Sequence, residues 1–359
     1  MPSWAEWVDG ECRAVDAAGR WRRIRDLDEG LVSFASNDYL GLSRHPVVVA
    51  AAHAALDRWG AGTGAARLVA GSRTVHGELE AALAAWKGES AALLFPTGYA
   101  ANLGVLATFG CAGVRVLSDA RNHASIVDGC RLSRAEVCVY RHGDLDQVED
   151  LLRAAPGRAV VATDTVFSMD GDVAPVAGLV DLCAAYGALL VLDEAHAVLG
   201  PDPDLAGVDH LRVGTLSKYL GSLGGFVAGP RAFVDLLVNR ARPFVFTTAS
   251  SPADAAAGLA AVKVLRSGEG DALVERLRAN VDLLATGHPS SILTVVIGDE
   301  DTAVAASSAL RERGLLVPAI RPPTVAPSTS RLRISMSASH TPAQVRALID
   351  GLEEVRGAP

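Results

Sequence analysis

A lysine and an acid stand about 25 positions apart in two apolar segments of the chain. Lys218 lies among small and apolar residues in segment 213–225, and Asp193 ends the apolar run 189–193. A lysine amine forms a Schiff base with the aldehyde of pyridoxal phosphate (PLP), and an acid at the pyridine nitrogen keeps that ring protonated and able to accept electrons. The pair therefore predicts PLP as the cofactor, with both residues catalytic and cofactor-binding.

The surroundings of Lys218 also favour a reactive amine. The segment is apolar and rich in glycine, and it holds few acids that could stabilise the ammonium form. Desolvation and the adjacent cofactor should therefore lower the pKa of the lysine and favour its nucleophilic form. Lys87 and Lys263, by contrast, lie in sequences typical of charged helix faces. We expect these two lysines at the surface and assign them no function.

Two histidines lie where they can contact such a cofactor. His196 follows Asp193 by three residues and can hydrogen-bond the phenolic oxygen of the cofactor or the neighbourhood of the lysine. His123 begins a predicted helix and can stack on the ring face. A lone histidine is more often a structural residue, and only the Asp193–Lys218 pair favours the catalytic interpretation.

Two segments have the residue types of a phosphate site. Residues 96–102 join a predicted strand to a helix, and Gly98 lets the backbone and the first helical amides approach an anion. Residues 246–251 place hydroxyls directly before a helix that begins at Pro252. Alone, the first segment is a tight turn and the second a Ser/Thr helix cap. The presence of Lys218 downstream favours a phosphate cradle at residues 96–102. At residues 246–251 a helix cap and a phosphate contact are compatible with each other.

Arginines alternate along a predicted strand near the C-terminus. Arg331 and Arg333 point to one face, opposite the flanking apolar residues, because side chains alternate in a strand. Arginine suits bidentate binding of a carboxylate. A solvated edge strand with surface arginines is the alternative, and it holds easily for one of the two.

Helices and strands must alternate to position these residues. Predicted strands cover residues 91–95, 114–118, 136–140, 159–164, 189–193, 212–216 and 226–228, and predicted helices cover 47–59, 76–87, 101–109, 125–134, 145–154 and 176–186. This alternation predicts an α/β fold with a mostly parallel seven-stranded sheet covered by helices on both faces. Ligands bind such sheets beyond the carboxyl ends of the strands, where Asp193 and Lys218 lie.

The pattern changes after about residue 250. Predicted helices 253–266, 271–284, 302–313 and 342–355 surround predicted strands 292–297, 315–319 and 331–336. We therefore expect an N-terminal arm over 1–40, a PLP-binding large domain over 41–250 and a smaller α+β domain over 251–359. Trp4, Trp7 and Trp21 could anchor the arm to a partner surface, although ordinary packing is the simpler alternative.

Composition narrows the class of protein. The 359 residues carry a formal net charge of −8, which argues against a nucleic-acid partner. The five cysteines form no CxxC pair or Cys/His cluster, so we expect reduced thiols in a cytoplasmic protein and no metal site. No apolar stretch reaches a transmembrane length and the N-terminus lacks signal-peptide features, so no membrane association is expected.

From about residue 34 to 340 the chain resembles the α-oxoamine synthase family of fold-type I PLP enzymes. The resemblance rests on SNDYLGL at 36–42, GTGAARLVAG at 62–71, HGELE at 76–80, TGYAAN at 97–102, VFSMDGD at 166–172 and DEAH at 193–196. Members join an amino acid to an acyl thioester with loss of carbon dioxide. They are homodimers with both active sites at the interface.

The resemblance implies roles for individual residues. It makes Lys218 the Schiff-base lysine, Asp193 the partner of the pyridine nitrogen and His196 a ligand of the phenolic oxygen, with His123 stacked on the ring. The remaining roles are as follows: Gly98 and Tyr99 offer backbone amides to the phosphate, Thr248 reaches it from the neighbouring subunit, Ser168 and Thr215 line the cofactor pocket, and Asn37 and Arg333 hold the substrate carboxylate.

The segment IRPPTV at 320–325, before the arginine strand, is similar to the biotin-synthesis branch of the family. That branch condenses L-alanine with a pimeloyl thioester, carried by CoA or by acyl carrier protein, to 8-amino-7-oxononanoate. Glycine C-acetyltransferase or another α-oxoamine synthase is the nearer alternative. A PLP aminotransferase and a subunit without cofactor are more remote, and the presence of Lys218 argues against the latter. Tyr219, where the family has a small residue, and the short N-terminal arm depart from the pattern.

Overall fold

Helices and strands alternate through the first two thirds of the chain. The computed structural model describes residues 1–22, 24, 26, 30–155, 157–200 and 202–357. The helices are α1 Trp4–Ala17, α2 Pro46–Trp59, α3 Thr74–Lys87, α4 Gly98–Phe109, α5 Ala124–Leu132, α6 Leu145–Arg153, α7 Val176–Tyr186, α8 Arg231–Arg240, α9 Arg242–Val245, α10 Pro252–Leu265, α11 Gly268–Leu284, α12 Glu300–Glu312 and α13 Pro342–Gly357. The strands are β1 Val32–Ser33, β2 Ala91–Phe95, β3 Arg115–Asp119, β4 Glu136–Tyr140, β5 Ala159–Asp164, β6 Leu189–Asp193, β7 His210–Thr215, β8 Gly225–Gly229, β9 Ile292–Gly298, β10 Leu315–Leu316, β11 Ala319–Ile320 and β12 Ser330–Ser335.

Seven strands form the main sheet, in the order β2-β8-β7-β6-β5-β3-β4. β8 runs antiparallel to both of its neighbours, and every other pairing is parallel. The interior strand β5 is buried along its whole length. A strand that is covered on both faces reads as a continuous apolar run, which is the pattern in the sequence. The predicted α/β class and the mostly parallel seven-stranded sheet are confirmed.

The register of the sheet brings several strand ends to one edge. Asp164 at the end of β5 lies opposite Asp193 at the end of β6, and Thr215 at the end of β7 lies opposite Gly225. Because β8 is antiparallel, its first residue reaches the edge at which the parallel strands end. The loops that follow β2, β5, β6 and β7 therefore meet there.

A second, smaller unit follows α10. Its antiparallel sheet has the order β11-β12-β9, and α12 and α13 pack in the same core cluster as these strands. This is the smaller α+β part that the sequence predicts. The N-terminal segment is joined to it, because β1 pairs in parallel with β10 and the amide of Ala338 donates to the carbonyl of Tyr39 at 2.7 Å.

The N-terminal arm begins with a helix that the sequence analysis did not predict. Ser3 and Glu6 form a capping box at the start of α1. None of the α1 side chains is buried, and Trp4 and Trp7 are 80% and 50% exposed. The alternative that Trp4 and Trp7 pack into the interior of the chain is therefore wrong. Part of the predicted arm, residues 23, 25 and 27–29, lies outside the described residues.

Within the described ranges, no helix combines the length and the apolar composition that crossing a bilayer requires.

Candidate active site

A tight loop after β7 presents Lys218 at the carboxyl edge of the sheet. The amide of Gly221 donates to the carbonyl of Lys218 at 2.9 Å, and the amide of Leu216 donates to the carbonyl of Gly224 at 2.9 Å. Gly221 has a φ of +61°, and a Cβ there would lie 2.2 Å from the amide nitrogen of Ser43. The loop can close in this way only because that position carries no side chain.

The amine of Lys218 contacts His196. Lys218 Nζ lies 2.8 Å from His196 Nε2. Burial lowers the pKa of Lys218, against the opposing charges of Asp193 and Asp164, and Arg333 lowers it further. Burial also holds the pKa of His196 well below its usual value, with the charge of Lys218 as the next cause. The site therefore favours a neutral imidazole and an amine with nucleophilic character.

Asp193 is buried without a cationic partner in contact. Its Oδ1 accepts from the amide of Ala195 at 2.9 Å, and its Oδ2 accepts from Asn102 Nδ2 at 2.6 Å. Across the described ranges, no Lys, Arg or His side chain forms an ion pair with it. A buried carboxylate that is satisfied only by neutral donors gains from a cation, and a protonated pyridine nitrogen supplies one. The residues present thus fit PLP.

Asn102 and Ser125 link Asp193 to His123. Asn102 Nδ2 donates to Ser125 Oγ at 2.8 Å, and Ser125 Oγ lies 2.8 Å from His123 Nδ1. His123 caps the start of α5, where its Nδ1 accepts from the amide of Ser125. Desolvation in the cleft is the largest cause that lowers the pKa of His123. The neutral ring that results is the form suited to stacking on an aromatic cofactor.

Asp164 is a site residue that sequence reasoning missed. Its Oδ2 accepts from the amide of His123 at 2.7 Å, and it lies opposite Asp193 in the sheet. Burial and the charge of Asp193 raise the pKa of Asp164 well above its usual value. The signal was available, because Asp164 ends an apolar run just as Asp193 does.

The turn between β2 and α4 has the form of an anion cradle. Thr97 caps α4 by accepting from the amide of Ala100 at 3.0 Å, which leaves the amides of Gly98 and Tyr99 at the N-terminus of the helix. A Cβ on Gly225 would lie 2.4 Å from the nitrogen of Gly98. The turn therefore lies directly against the carboxyl edge of the sheet, within reach of the Lys218 loop.

The other predicted cofactor residues differ in burial and in hydrogen bonding. Thr215 is buried at the end of β7, with its Oγ1 2.9 Å from the carbonyl of Gly224. Ser168 is half-buried, and its carbonyl accepts from Arg333 Nε at 2.5 Å. Thr248 is exposed, and no hydrogen bond within the described part of the chain joins it to the other site residues.

Both arginines of β12 are buried and point to the same face. Arg333 donates to Asn37 Oδ1 at 3.2 Å and to Ser335 Oγ at 2.8 Å, whereas Arg331 pairs with Asp170. β12 is the central strand of its sheet, so the alternative of a solvated edge strand is wrong. Arg333 and Asn37 meet beside the Lys218 centre.

A cavity of about 410 Å³ opens next to Arg331. It is lined in part by Arg121, Asp170, Arg331 and the loop residues Thr324 and Val325. Arg121 Nη1 lies 3.3 Å from Asp170 Oδ2, so two arginines share one carboxylate at its wall. Arg121 and Asp170 have no role that local sequence patterns predict, because their partners are far away in the chain.

The prediction for Lys87 is wrong. Lys87 is 6% exposed, and its Nζ pairs with Glu194 Oε2 at 2.7 Å. The acid that makes it a buried residue lies more than a hundred positions away, so helix periodicity could not reveal it. Lys263 is exposed, as expected. Tyr219 is buried against Trp86, with ring centroids 6.0 Å apart.

The chain matches a known protein family over most of its length. Aminotransferase class I and II covers residues 29–352. An 8-amino-7-oxononanoate synthase of Anaeromyxobacter dehalogenans (strain 2CP-1) is 48% identical, over 98% of this chain and 95% of that protein. One of Methylobacterium sp. (strain 4-46) is 47% identical, over 96% of this chain and 95% of that protein.

Solved structures also match this chain over most of its length. Serine palmitoyltransferase from S. paucimobilis, with a PLP–myriocin aldimine bound, has a TM-score of 0.90 and 29% identity, over 99% of this chain and 98% of that one. An 8-amino-7-oxononanoate synthase from Francisella tularensis has a TM-score of 0.75 and 25% identity, over 92% of this chain and 99% of that one. This chain belongs to the aminotransferase class I and II family and, within it, to the α-oxoamine synthases of fold type I, where it groups with the 8-amino-7-oxononanoate synthases.

Proposed function

We propose that this chain is a PLP-dependent acyltransferase of biotin biosynthesis, with Lys218 as the residue that holds the cofactor. It condenses L-alanine with a pimeloyl thioester and yields 8-amino-7-oxononanoate, carbon dioxide and the free thiol. The observation that carries the cofactor assignment is Asp193, a buried carboxylate with neutral hydrogen-bond donors only, at the same sheet edge as the amine of Lys218. The names of the nearly full-length relatives carry the choice of substrates.

PLP supplies, when it is bound, an electron sink for the negative charge that develops at the α-carbon of the amino acid. Asp193 would keep a proton on the pyridine nitrogen, and the amides of Gly98 and Tyr99 would hold the phosphate. Ser168 and Thr215 line the pocket. His123 would stack on the ring, and His196 would hydrogen-bond its phenolic oxygen.

The chain's own residues then position the amino acid and move its proton. Arg333 and Asn37 bind the carboxylate of alanine and so fix the orientation of the bonds to its α-carbon. The amine of Lys218, whose pKa burial lowers, removes the α-proton. The α-carbon then forms a bond to the thioester carbonyl carbon as the C–S bond breaks, and the thiolate leaves and takes a proton from solvent. The carboxylate held by Arg333 departs as carbon dioxide, and the ammonium form of Lys218 returns its proton to the α-carbon.

We also propose a homodimer with shared active sites. Thr248 is exposed and isolated from the site within one chain, and its neighbour Phe246 is 71% exposed. Leu68, Val69 and Leu223 are likewise more than half exposed. Apolar side chains of this size gain from coverage by a second copy, and Thr248 then reaches the phosphate of the partner site.

The compartment we propose is the cytoplasm. Cys12, Cys111, Cys130, Cys138 and Cys183 are all free thiols, which suits a reducing compartment.

A direct assay tests the function. Purified protein with PLP is mixed with L-alanine and either pimeloyl-CoA or the pimeloyl carrier protein, and the product is identified by mass. Turnover of glycine with acetyl-CoA in preference to these would contradict the choice of substrates, and transfer of the amino group to a keto acid without release of carbon dioxide would contradict the reaction class.

The cofactor site has its own test. Borohydride reduction followed by peptide mapping should place the label on Lys218, and Lys218→Ala should lose both label and yellow colour. A label on another lysine overturns the assignment.

A further inference from the structure

A chain of hydrogen bonds runs from Arg333 to Lys218 through three other side chains. Arg333 Nη2 lies 3.2 Å from Asn37 Oδ1, and Asn37 Oδ1 lies 3.0 Å from the hydroxyl of Tyr39. That hydroxyl lies 2.6 Å from His196 Nδ1, and His196 Nε2 lies 2.8 Å from Lys218 Nζ. Tyr39 and His196 are both buried.

The direction of this chain is fixed at its arginine end. A guanidinium has donors only, so the atom of Asn37 that faces Arg333 must be the amide oxygen. That oxygen accepts, so the hydroxyl of Tyr39 must donate to it. If Tyr39 instead donated to His196, two unprotonated oxygens would face each other at 3.0 Å.

The direction of the Tyr39 hydrogen bond determines the protonation state of the His196 imidazole. Because the one proton of the Tyr39 hydroxyl goes to Asn37, His196 Nδ1 must carry a proton and donate it to Tyr39. Burial keeps the pKa of His196 well below its usual value, so the ring is neutral and its Nε2 is unprotonated. Burial also raises the pKa of Tyr39 to about 12, so its hydroxyl stays protonated.

We propose that Tyr39 is a positioning residue that holds His196 in the tautomer protonated on Nδ1, with the Nε2 lone pair facing Lys218. In this arrangement the amine of Lys218 donates a hydrogen to His196, and its own lone pair stays free to attack an aldehyde. The opposite tautomer would donate to that lone pair and mask the nucleophile. The proposal rests on the proposed role of Lys218, but the tautomer itself does not depend on substrate or activity.

The test is ¹⁵N NMR of histidine-labelled protein from which the cofactor has been removed, with His196 assigned by its loss in His196→Gln. In the wild type we expect a protonated Nδ1 and an unprotonated Nε2 at neutral pH. In Tyr39→Phe, His196 should populate the Nε2-protonated form. Tyr219→Phe is the matched control, because that hydroxyl is also buried, adjoins Lys218 in sequence and has no hydrogen-bond partner in the described part of the chain.

Two variants of Asn37 decide the matter if Tyr39→Phe does not fold. Asn37→Ala removes the acceptor for Tyr39 and should release the tautomer, whereas Asn37→Asp keeps an acceptor oxygen and should retain it. A wild-type ring protonated on Nε2 overturns the proposal. So does an unchanged tautomer in both Tyr39→Phe and Asn37→Ala, or a change in Tyr219→Phe as large as that in Tyr39→Phe.

A second measurement addresses the consequence for Lys218. The rate at which cofactor-free protein regains the absorbance of covalently held PLP should fall about two- to tenfold in Tyr39→Phe, the equivalent of one hydrogen bond. Tyr219→Phe should reconstitute at the wild-type rate. An unchanged rate in Tyr39→Phe despite an altered tautomer would contradict the masking of the amine. A protein that shows the expected tautomer but rejects alanine and pimeloyl thioesters would contradict the proposed function and leave this inference standing.

Discussion

Lys87 Nζ lies 2.7 Å from Glu194 Oε2, and both side chains are almost completely excluded from solvent. Arg212 Nε approaches the other oxygen of the same carboxylate at 2.7 Å. Glu194 directly follows Asp193, so this ion pair anchors the end of the strand that presents the candidate catalytic acid. A structural charge cluster and a catalytic one thus occupy consecutive residues.

Removal of one partner of this pair should destabilise the fold strongly. Lys87→Met leaves Glu194 buried with only one cation in contact, and breaking a buried pair in this way costs about 3–5 kcal/mol. Chemical denaturation of the cofactor-free protein measures the loss. The exposed pair of Arg153 and Glu149 provides the control, because Arg153→Met should change the free energy of unfolding by less than about 1 kcal/mol. Equal effects of the two substitutions would show that burial of the Lys87 pair has no energetic weight.

Asp193→Asn should keep the cofactor but lose most turnover. Asparagine is nearly isosteric and can still accept from the amide of Ala195, yet it lacks the charge that stabilises a protonated pyridine nitrogen. Loss of one preorganised electrostatic group typically lowers the rate about a hundredfold or more. Steady-state kinetics with saturating PLP measure it. Asp164→Asn is the comparison, and a larger loss in that variant would transfer the role to Asp164.

Arg333→Lys should weaken the binding of alanine. Lysine offers a point charge instead of a fork, and loss of a charge-assisted hydrogen bond of about 1.5–3 kcal/mol corresponds to about tenfold or more in affinity. The KM for alanine should rise while the KM for the pimeloyl thioester changes little. Arg331→Lys should leave the KM for alanine near the wild-type value, and the reverse pattern would exchange the roles of the two arginines.

Thr248 offers a test of shared sites. Thr248→Glu should repel the phosphate, and Lys218→Ala removes the attachment point, so each homodimer should be inactive. In a heterodimer of the two variants, one site receives an intact Lys218 from one chain and an intact Thr248 from the other. Activity should therefore return when the variants are dissociated and mixed. Mixing that restores no activity would place Thr248 in the site of its own chain, or outside the site.

The main sheet was predictable because its central strands are covered on both faces. The bounds of the interior strands β5 and β6 match the apolar runs in the sequence, and those of the edge strands β2 and β4 match as well. The run 315–319 was predicted as one strand, but the structure divides it between β10 and β11, which belong to different sheets. Pro318 lies between them and has no amide hydrogen for a ladder.

The site was predictable where chemistry depends on residues close in sequence, such as Asp193 and His196. Tyr39, Asn102 and Asp164 contribute contacts across long sequence separations, and no local pattern indicates which long-range partner such a residue has. Tyr39 and Asn102 stood within segments that were already noted, but their roles follow only from the folded geometry. Helix α1 was missed although its signals are in the sequence: Ser3 and Glu6 have the spacing of a capping box, and Trp4, Trp7, Val8 and Val15 recur at helical spacing.

The exposed tryptophans of α1 give the protein a built-in optical reporter. Two of the five tryptophans of the chain, Trp4 and Trp7, stand in solvent on one helix, with their rings 5.5 Å apart and edge to face. Indole emission moves to shorter wavelength when water is excluded, so any surface that comes to cover α1 should shift the fluorescence of the whole protein. If the proposed association of two copies covers α1, it can be followed by this emission without an added label.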